Sequence, residues 1–224
     1  MFKKPVLLLV FLLLLFSAFS QSKALRWHRP TKAEEKLAEY HAQCVHSNRY
    51  STAQRLKFYP FNKAVQVKLI AFNGMDEPNV RIRLDSGVYY EEKINYWKYP
   101  FYDNKTDTSQ FIESKLLNKS QINRLTDLLY NIGQRTIDYN IVYSHYACYN
   151  PRNSIIFINA KGKIFAYIEI CFECKEIQTK PESMKIGGYC EDKLSLLKGY
   201  FASADIKYGV DTAYTRGFSI RKSR

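Results

Sequence analysis

The chain is short of the residues that punctuate or loosen structure, with 7 prolines and 9 glycines in 224 residues. That scarcity excludes low-complexity disorder and collagen-like repeats for the bulk of it. Acids are also scarce: 21 Asp and Glu stand against 34 Lys and Arg, for a formal charge of +13. Beyond residue 20 no apolar run approaches the ~18 residues that mark a membrane helix. No G-x-S-x-G, H-E-x-x-H, P-loop or G-x-G-x-x-G pattern occurs, which removes the nucleophile-elbow, zinc-protease and nucleotide-binding signatures. Paired glycosidase carboxylates have no spacing signature, so that chemistry is left open.

What is present begins with an address. Lys3 and Lys4 precede an unbroken apolar run, Val6 to Phe16, and small residues at Ala18 and Ser20 suit cleavage before Gln21. This is the grammar of a secretory signal peptide over residues 1–20. The rival reading, an uncleaved anchor, needs ~20 apolar residues and finds fewer. No cysteine follows the run to take a lipid. The expected protein is exported, periplasmic or extracellular, with no transmembrane segment after cleavage. Losing Lys3 and Lys4 lowers the charge to +11, and Arg216, Arg221, Lys222 and Arg224 carry four of those charges in the last nine residues of a basic tail, 210–224, leaving +7 on residues 21–215. A diffuse remainder of +7 on an exported chain makes nucleic acid a poor partner, and an envelope glycan or protein a better one.

Hydrophobic residues make up 46% and charged residues 25%, enough apolar material for one core in a domain spanning 21–209. Thr31 and Glu34 form a capping box, and Ala33, Leu37, Tyr40 and Cys44 recur at helical spacing, predicting a helix over 31–47. Residues 64–72 and 80–84 read as strands, with Asn73-Gly74 and Pro78-Asn79 as turns. Ile122, Leu125, Leu129 and Ile132 stripe a middle helix, with Asn118 or Ser120 as its cap and Gly133 as its stop. Strands at 153–158 and 163–172 flank Asn159-Ala160-Lys161-Gly162, a hairpin signal. Leu194, Leu197, Phe201 and Ala204 mark a C-terminal helix, with Glu191 and Asp192 in its first turn. The order predicts an α+β fold: an antiparallel sheet with N-terminal, middle and C-terminal helices.

Five cysteines, Cys44, Cys148, Cys171, Cys174 and Cys190, would meet an oxidising compartment, where disulfides are the default. Cys44 shares the apolar stripe of the first helix, which predicts a buried free thiol. With Asn159 opposite Gly162, Cys148 falls diagonal to Cys171 on the mixed face of the second hairpin strand. Cys174 continues the face of Ile164, Ala166, Ile168 and Ile170 toward the C-terminal helix. The expected pairs are therefore Cys148–Cys171 and Cys174–Cys190, stapling the segment 148–190. The alternatives are a thiol redox pair in Cys171-Phe172-Glu173-Cys174 or zinc held by Cys148, Cys171, Cys174 and Cys190. Glu173 would raise the thiol pKa values of the former, and the single close cysteine pair suits the latter poorly.

The stretch CYNPRNSIIF with its later ICFEC resembles a segment of small exported bacterial proteins that have no known activity. The resemblance spans about Cys148 to Gly209, and it transfers no catalytic or binding residue. It implies that the cysteine-rich part behaves as a unit.

Three further groupings bear on chemistry. His41 and Cys44 are helical neighbours with His46 nearby, which suggests a metal only superficially, because His46 points elsewhere. His145 stands three residues before Cys148, where a base for a cysteine nucleophile would sit, with no third partner. Tyr89 to Tyr102 holds seven aromatic residues in fourteen, and Tyr96, Trp97, Tyr99, Phe101 and Tyr102 are the candidate binding surface. As a strand the same stretch would bury Trp97, Tyr99 and Phe101 on one face. Asn104 and Asn118 head glycosylation sequons, relevant only in a eukaryotic secretory pathway. The functional expectation is a non-enzymatic binding or interaction protein of the cell envelope with no cofactor and no metal. The thiol redox or zinc protein is the alternative.

Overall fold

The structure is a computed structural model that describes residues 29–74, 99–101, 106–136 and 149–210. The signal segment, the strand expected at 80–84, Tyr96, Trp97, Tyr102, Asn104, His145, Cys148 and residues 211–224 lie outside those residues. Contacts divide the chain into a unit ending at Leu37 and a unit from Ala38 onward.

In the first unit, Thr31 and Glu34 close the expected capping box: Thr31 N–H donates to the Glu34 carboxylate at 2.7 Å, and Glu34 N–H donates to Thr31 Oγ1 at 3.3 Å. The helix that follows, α1 (Lys32–Ala42), ends five residues earlier than its apolar spacing predicts. Leu37 and Tyr40 on the expected stripe are about half exposed, at 50% and 49%. Cys44 is not helical. It opens a three-residue strand, β1 (Cys44–His46).

The rest follows the expected α+β plan. After the short helix α2 (Thr52–Arg55), the strands are β2 (Gln66–Phe72), β3 (Phe111–Leu116), β4 (Ile132–Gln134), β5 (Asn153–Ile158), β6 (Ile164–Cys171) and β7 (Glu176–Lys180). Helices α3 (Lys119–Tyr130) and α4 (Lys193–Ser203) and a short 3-10 turn at Thr108–Gln110 complete the described elements. Five strands form an antiparallel sheet in the order β3-β2-β5-β6-β7, and β1 pairs separately with β4. Pro181, which has no N–H to offer a ladder, follows the last residue of β7.

The hairpin of β5 and β6 turns on Asn159, whose side chain accepts from the N–H groups of Lys161 and Lys163 (2.9 and 3.0 Å), while Gly162 takes φ +72°. Its register differs from the expected one. Ser154 faces Glu169 and Ile156 faces Tyr167, two residues beyond the expected pairing, and the register shifts between Phe157 and Ile158. A slip of two keeps every side chain on its face, so the in-and-out assignment of most of β6 survives.

One sheet face carries Val67, Leu69, Ala71, Ile155, Phe157, Ala166, Ile168 and Ile170 into the main core, against Leu125 and Leu129 of α3 and Leu197 and Phe201 of α4. The other carries Ile70, Phe72, Ile156 and Ile158 into a smaller cluster closed by Phe101, with Tyr99, Phe111, Ile164 and Tyr167 at its margin. Because both faces are covered, every residue of β5 is buried. Ile164, expected on the main-core face, packs on the other because of the register shift beside it.

Asn118 caps α3, accepting from Gln121 N–H while the Gln121 side chain accepts from Asn118 N–H, both at 2.9 Å. The C-terminal end of α3 is held by Lys193, at the start of α4. Its Nζ donates to the carbonyls of Leu128 (2.6 Å), Leu129 (2.9 Å) and Ile132. Burial pulls this amine down to about 7. Three accepting carbonyls oppose that, because only the ammonium has three N–H bonds to give, and it sits at the negative end of the helix dipole. The geometry therefore fits the charged form. Gly187 passes against the same helix end with φ +79°, and a Cβ there would lie 2.3 Å from the Leu129 carbonyl oxygen.

Candidate functional site

The cysteines pair differently from expectation. Cys44 and Cys190 form a disulfide, Cys174 is also disulfide-bonded, and Cys171 is a buried free thiol. This overturns the pairs Cys148–Cys171 and Cys174–Cys190, the free Cys44 and the Cys171–Cys174 redox pair. The zinc set fails with them, because Cys190 and Cys174 are oxidised. The reason lies in β1. Once α1 stops at Ala42, Cys44 pairs with Gln134 of β4. The segment around Cys190 runs alongside, with Gln134 N–H donating to Tyr189 O (2.8 Å) and Glu191 N–H to Ala42 O (2.9 Å). Cys171 is kept inert: burial pushes its thiol pKa up, only partly offset by the hydrogen bonds it makes with Asn150 O and Cys174 N–H.

Contacts join residues 150–152 to residues 171–173, and Asn153 to the segment after α4. Arg152 pairs with Glu173 at 3.1 Å, Cys171 Sγ–H donates to Asn150 O at 3.4 Å, and Asn153 Nδ2 donates to Tyr208 O at 2.9 Å. These contacts tie down the ends of β5 and β6.

His41, Cys44 and His46 do not form a ligand set. His41 Nδ1 lies 2.7 Å from Thr136 Oγ1, and His46 Nε2 lies 2.8 Å from Asp127 Oδ2. Burial alone would raise the Asp127 pKa. Hydrogen bonds from Asn131 and His46, with the charges of His46 and Arg55, hold it below its usual value. Arg55, 5% exposed, donates to Tyr50 O at 2.6 Å and Asn123 Oδ1 at 2.6 Å, and pairs with Asp127 at 3.1 Å. This network joins β1, α2 and α3, which is a structural task.

The aromatic segment supplies a site of another kind. Tyr99 and Phe101 both pack edge-on against Phe72, with ring centroids 5.8 and 5.6 Å away, and Phe101 stacks on Tyr167 at 4.0 Å. Phe101 is thus a buried residue of the outer cluster rather than an exposed contact, and Tyr99 is half-buried. Both line a cavity of about 470 Å³ with Tyr167, Glu169, Gln178, Thr179, Lys180 and Glu182. Strand pairing accounts for four of them: Tyr167 faces Lys180 and Glu169 faces Gln178, so these side chains share one face at the β7 side of the sheet.

Glu169 is the unusual member, a carboxyl 6% exposed in the middle of an apolar strand. Its Oε1 accepts from the Tyr99 hydroxyl in a short hydrogen bond, and its Oε2 accepts from Tyr149 at 3.4 Å. Burial pushes its pKa up, against the two tyrosine hydrogen bonds that favour the carboxylate. The tyrosines respond in kind: burial and the facing carboxylate raise both, and Tyr167 rises to about 12. Among the described residues no ion pair reaches Glu169. By strand alternation Glu169 shares the mixed face of Cys171, two residues on. The available signal was a lone acid inside IFAYIEIC. No protein-family model, curated protein or solved structure matches the chain.

Proposed function

We propose that this chain is an exported, non-enzymatic binding protein whose ligand site is the aromatic cavity over β6 and β7, and that the ligand is a small carbohydrate of the envelope or extracellular space. One observation carries this reading: a cavity of about 470 Å³ whose wall is Tyr99, Phe101 and Tyr167 and whose polar groups converge from Glu169, Gln178, Thr179, Lys180 and Glu182. That volume is typical of small-ligand sites. Aromatic rings offer apolar faces to the C–H faces of a sugar, while neighbouring amide, hydroxyl and carboxylate groups bond its hydroxyls.

Export is supported by the signal-like residues 1–20 and fits the disulfide between Cys44 and Cys190. The thiol redox and zinc alternatives are disfavoured, because Cys174 and Cys190 are held in disulfides and Cys171 is a lone buried thiol.

Ligand-observed NMR on the mature chain tests the proposal, with a panel of monosaccharides and disaccharides, neutral and amino-substituted. Tyr167→Ala should remove saturation transfer to any sugar that binds the native protein, because the wall of the cavity goes with it. Failure of the whole panel to bind the native protein, or binding that Tyr167→Ala leaves untouched, overturns the reading.

A further inference from the structure

The cavity contains two carboxylates, Glu169 and Glu182, and one ammonium, Lys180. Lys180 makes no ion pair with either carboxylate among the described residues. Glu169 is buried, and its two partners, Tyr99 and Tyr149, are neutral hydroxyls. A buried carboxylate without a counter-charge is costly to keep, and structural carboxylates are normally paired or absent from such positions. Among the described residues the other buried charges are fully met: Arg55 pairs with Asp127, and all three N–H bonds of Lys193 go to carbonyls. Glu169 accepts one hydrogen bond on each oxygen and keeps accepting capacity beside a cavity with space for a ligand. The aromatic wall adds to the attraction, because ring faces favour a cation held within about 6 Å.

We infer that the cavity selects a ligand bearing a protonated amine, an amino sugar in its free-amine form, whose ammonium takes the place of the missing partner of Glu169. This rests on the carbohydrate reading above and narrows it to one chemical class. The groups that face Glu169 are Tyr99 from the segment before β3, Tyr149 from the segment before β5, Tyr167 from its own strand, and Gln178 from β7. Lys180 and Glu182 complete the charged lining. Tyr99 and Tyr149 donate to the carboxylate and orient it. Glu182 adds a second negative charge, and Lys180 works against a cationic ligand.

Calorimetric titration of the native mature protein with glucosamine, N-acetylglucosamine and glucose tests this. The expected result is tightest binding of glucosamine, with acetylation weakening it roughly tenfold or more, the value of a charge-assisted hydrogen bond. Glu169→Gln should make the three sugars bind alike, and Lys180→Met should strengthen glucosamine alone. Near-ultraviolet circular dichroism checks that Glu169→Gln is folded. If it is not, the acetylation comparison and Lys180→Met decide. Equal binding of the three sugars by the native protein, or a preference for the neutral ones, overturns the amine inference and leaves the carbohydrate reading standing. Binding of none of them overturns the amine inference, and the carbohydrate reading falls with it when the wider sugar panel fails as well.

Discussion

The two faces of the five-stranded sheet are built from the same strands and end in different chemistry. On the main-core face, Leu69, Ile155, Phe157 and Ile168 meet α3 and α4, and the buried charge on that side, Lys193, has every N–H bond accepted by a carbonyl. On the opposite face, Ile70, Phe72 and Ile156 meet rings rather than helices, and the buried charge, Glu169, borders an open cavity with hydroxyl partners alone. A charge that the protein saturates by itself serves the fold. A charge left with room beside it serves something that arrives.

Substitutions on the two faces should therefore separate stability from binding. The largest effect belongs to the main core: Phe157→Ala, at a residue with no exposure, should lose about 3–5 kcal/mol of unfolding free energy in a denaturant titration. Tyr167→Ala on the other face should lose clearly less while removing sugar binding. Equal losses would erase the distinction.

Lys193→Met keeps the apolar stem but strips the donor from three carbonyls at the end of α3. About 2–4 kcal/mol should disappear, with native binding preserved wherever the variant is folded. A loss below about 0.5 kcal/mol would mean that those carbonyls find other donors.

The smallest effect is pH-dependent. The folded pKa of Glu169 is raised, so its favourable contribution is full below the unfolded value near 4.5 and is lost as pH climbs through the folded value. Glu169→Gln should match the native protein near pH 4 and become the more stable of the two as pH rises to 7, read from melting temperatures across that range. A gap that is constant with pH would show that Glu169 does not titrate on folding.

How much of this could be read from the residues depends on the range of the interaction that decides each feature. The hairpin of β5 and β6 and the capped helix α3 were legible because turn chemistry at Asn159 and Gly162, and the Asn118–Gln121 pair, act within a few residues. Strand β1 was not legible: three residues carry no period, and only pairing with β4 makes them a strand. Strands β3 and β7 went unassigned, since each takes its place from its neighbour in the sheet. The partner of Cys44 lies 146 residues away, beyond any argument from local register. Alternation puts Glu169 on the mixed face of its strand, but its burial is set by rings from other elements, Tyr99 among them, 70 residues upstream.

The Cys44–Cys190 bridge has a topological consequence. It closes the chain into a covalent loop that contains all five strands of the main sheet, leaving α1 and α4 as appendages on either side of the junction. A protease that severs one peptide bond within that loop produces an open circle rather than two fragments. The nicked molecule keeps its mass, and its strands stay within reach of one another until a reductant opens the bridge. That is a form of durability independent of how tightly the core is packed.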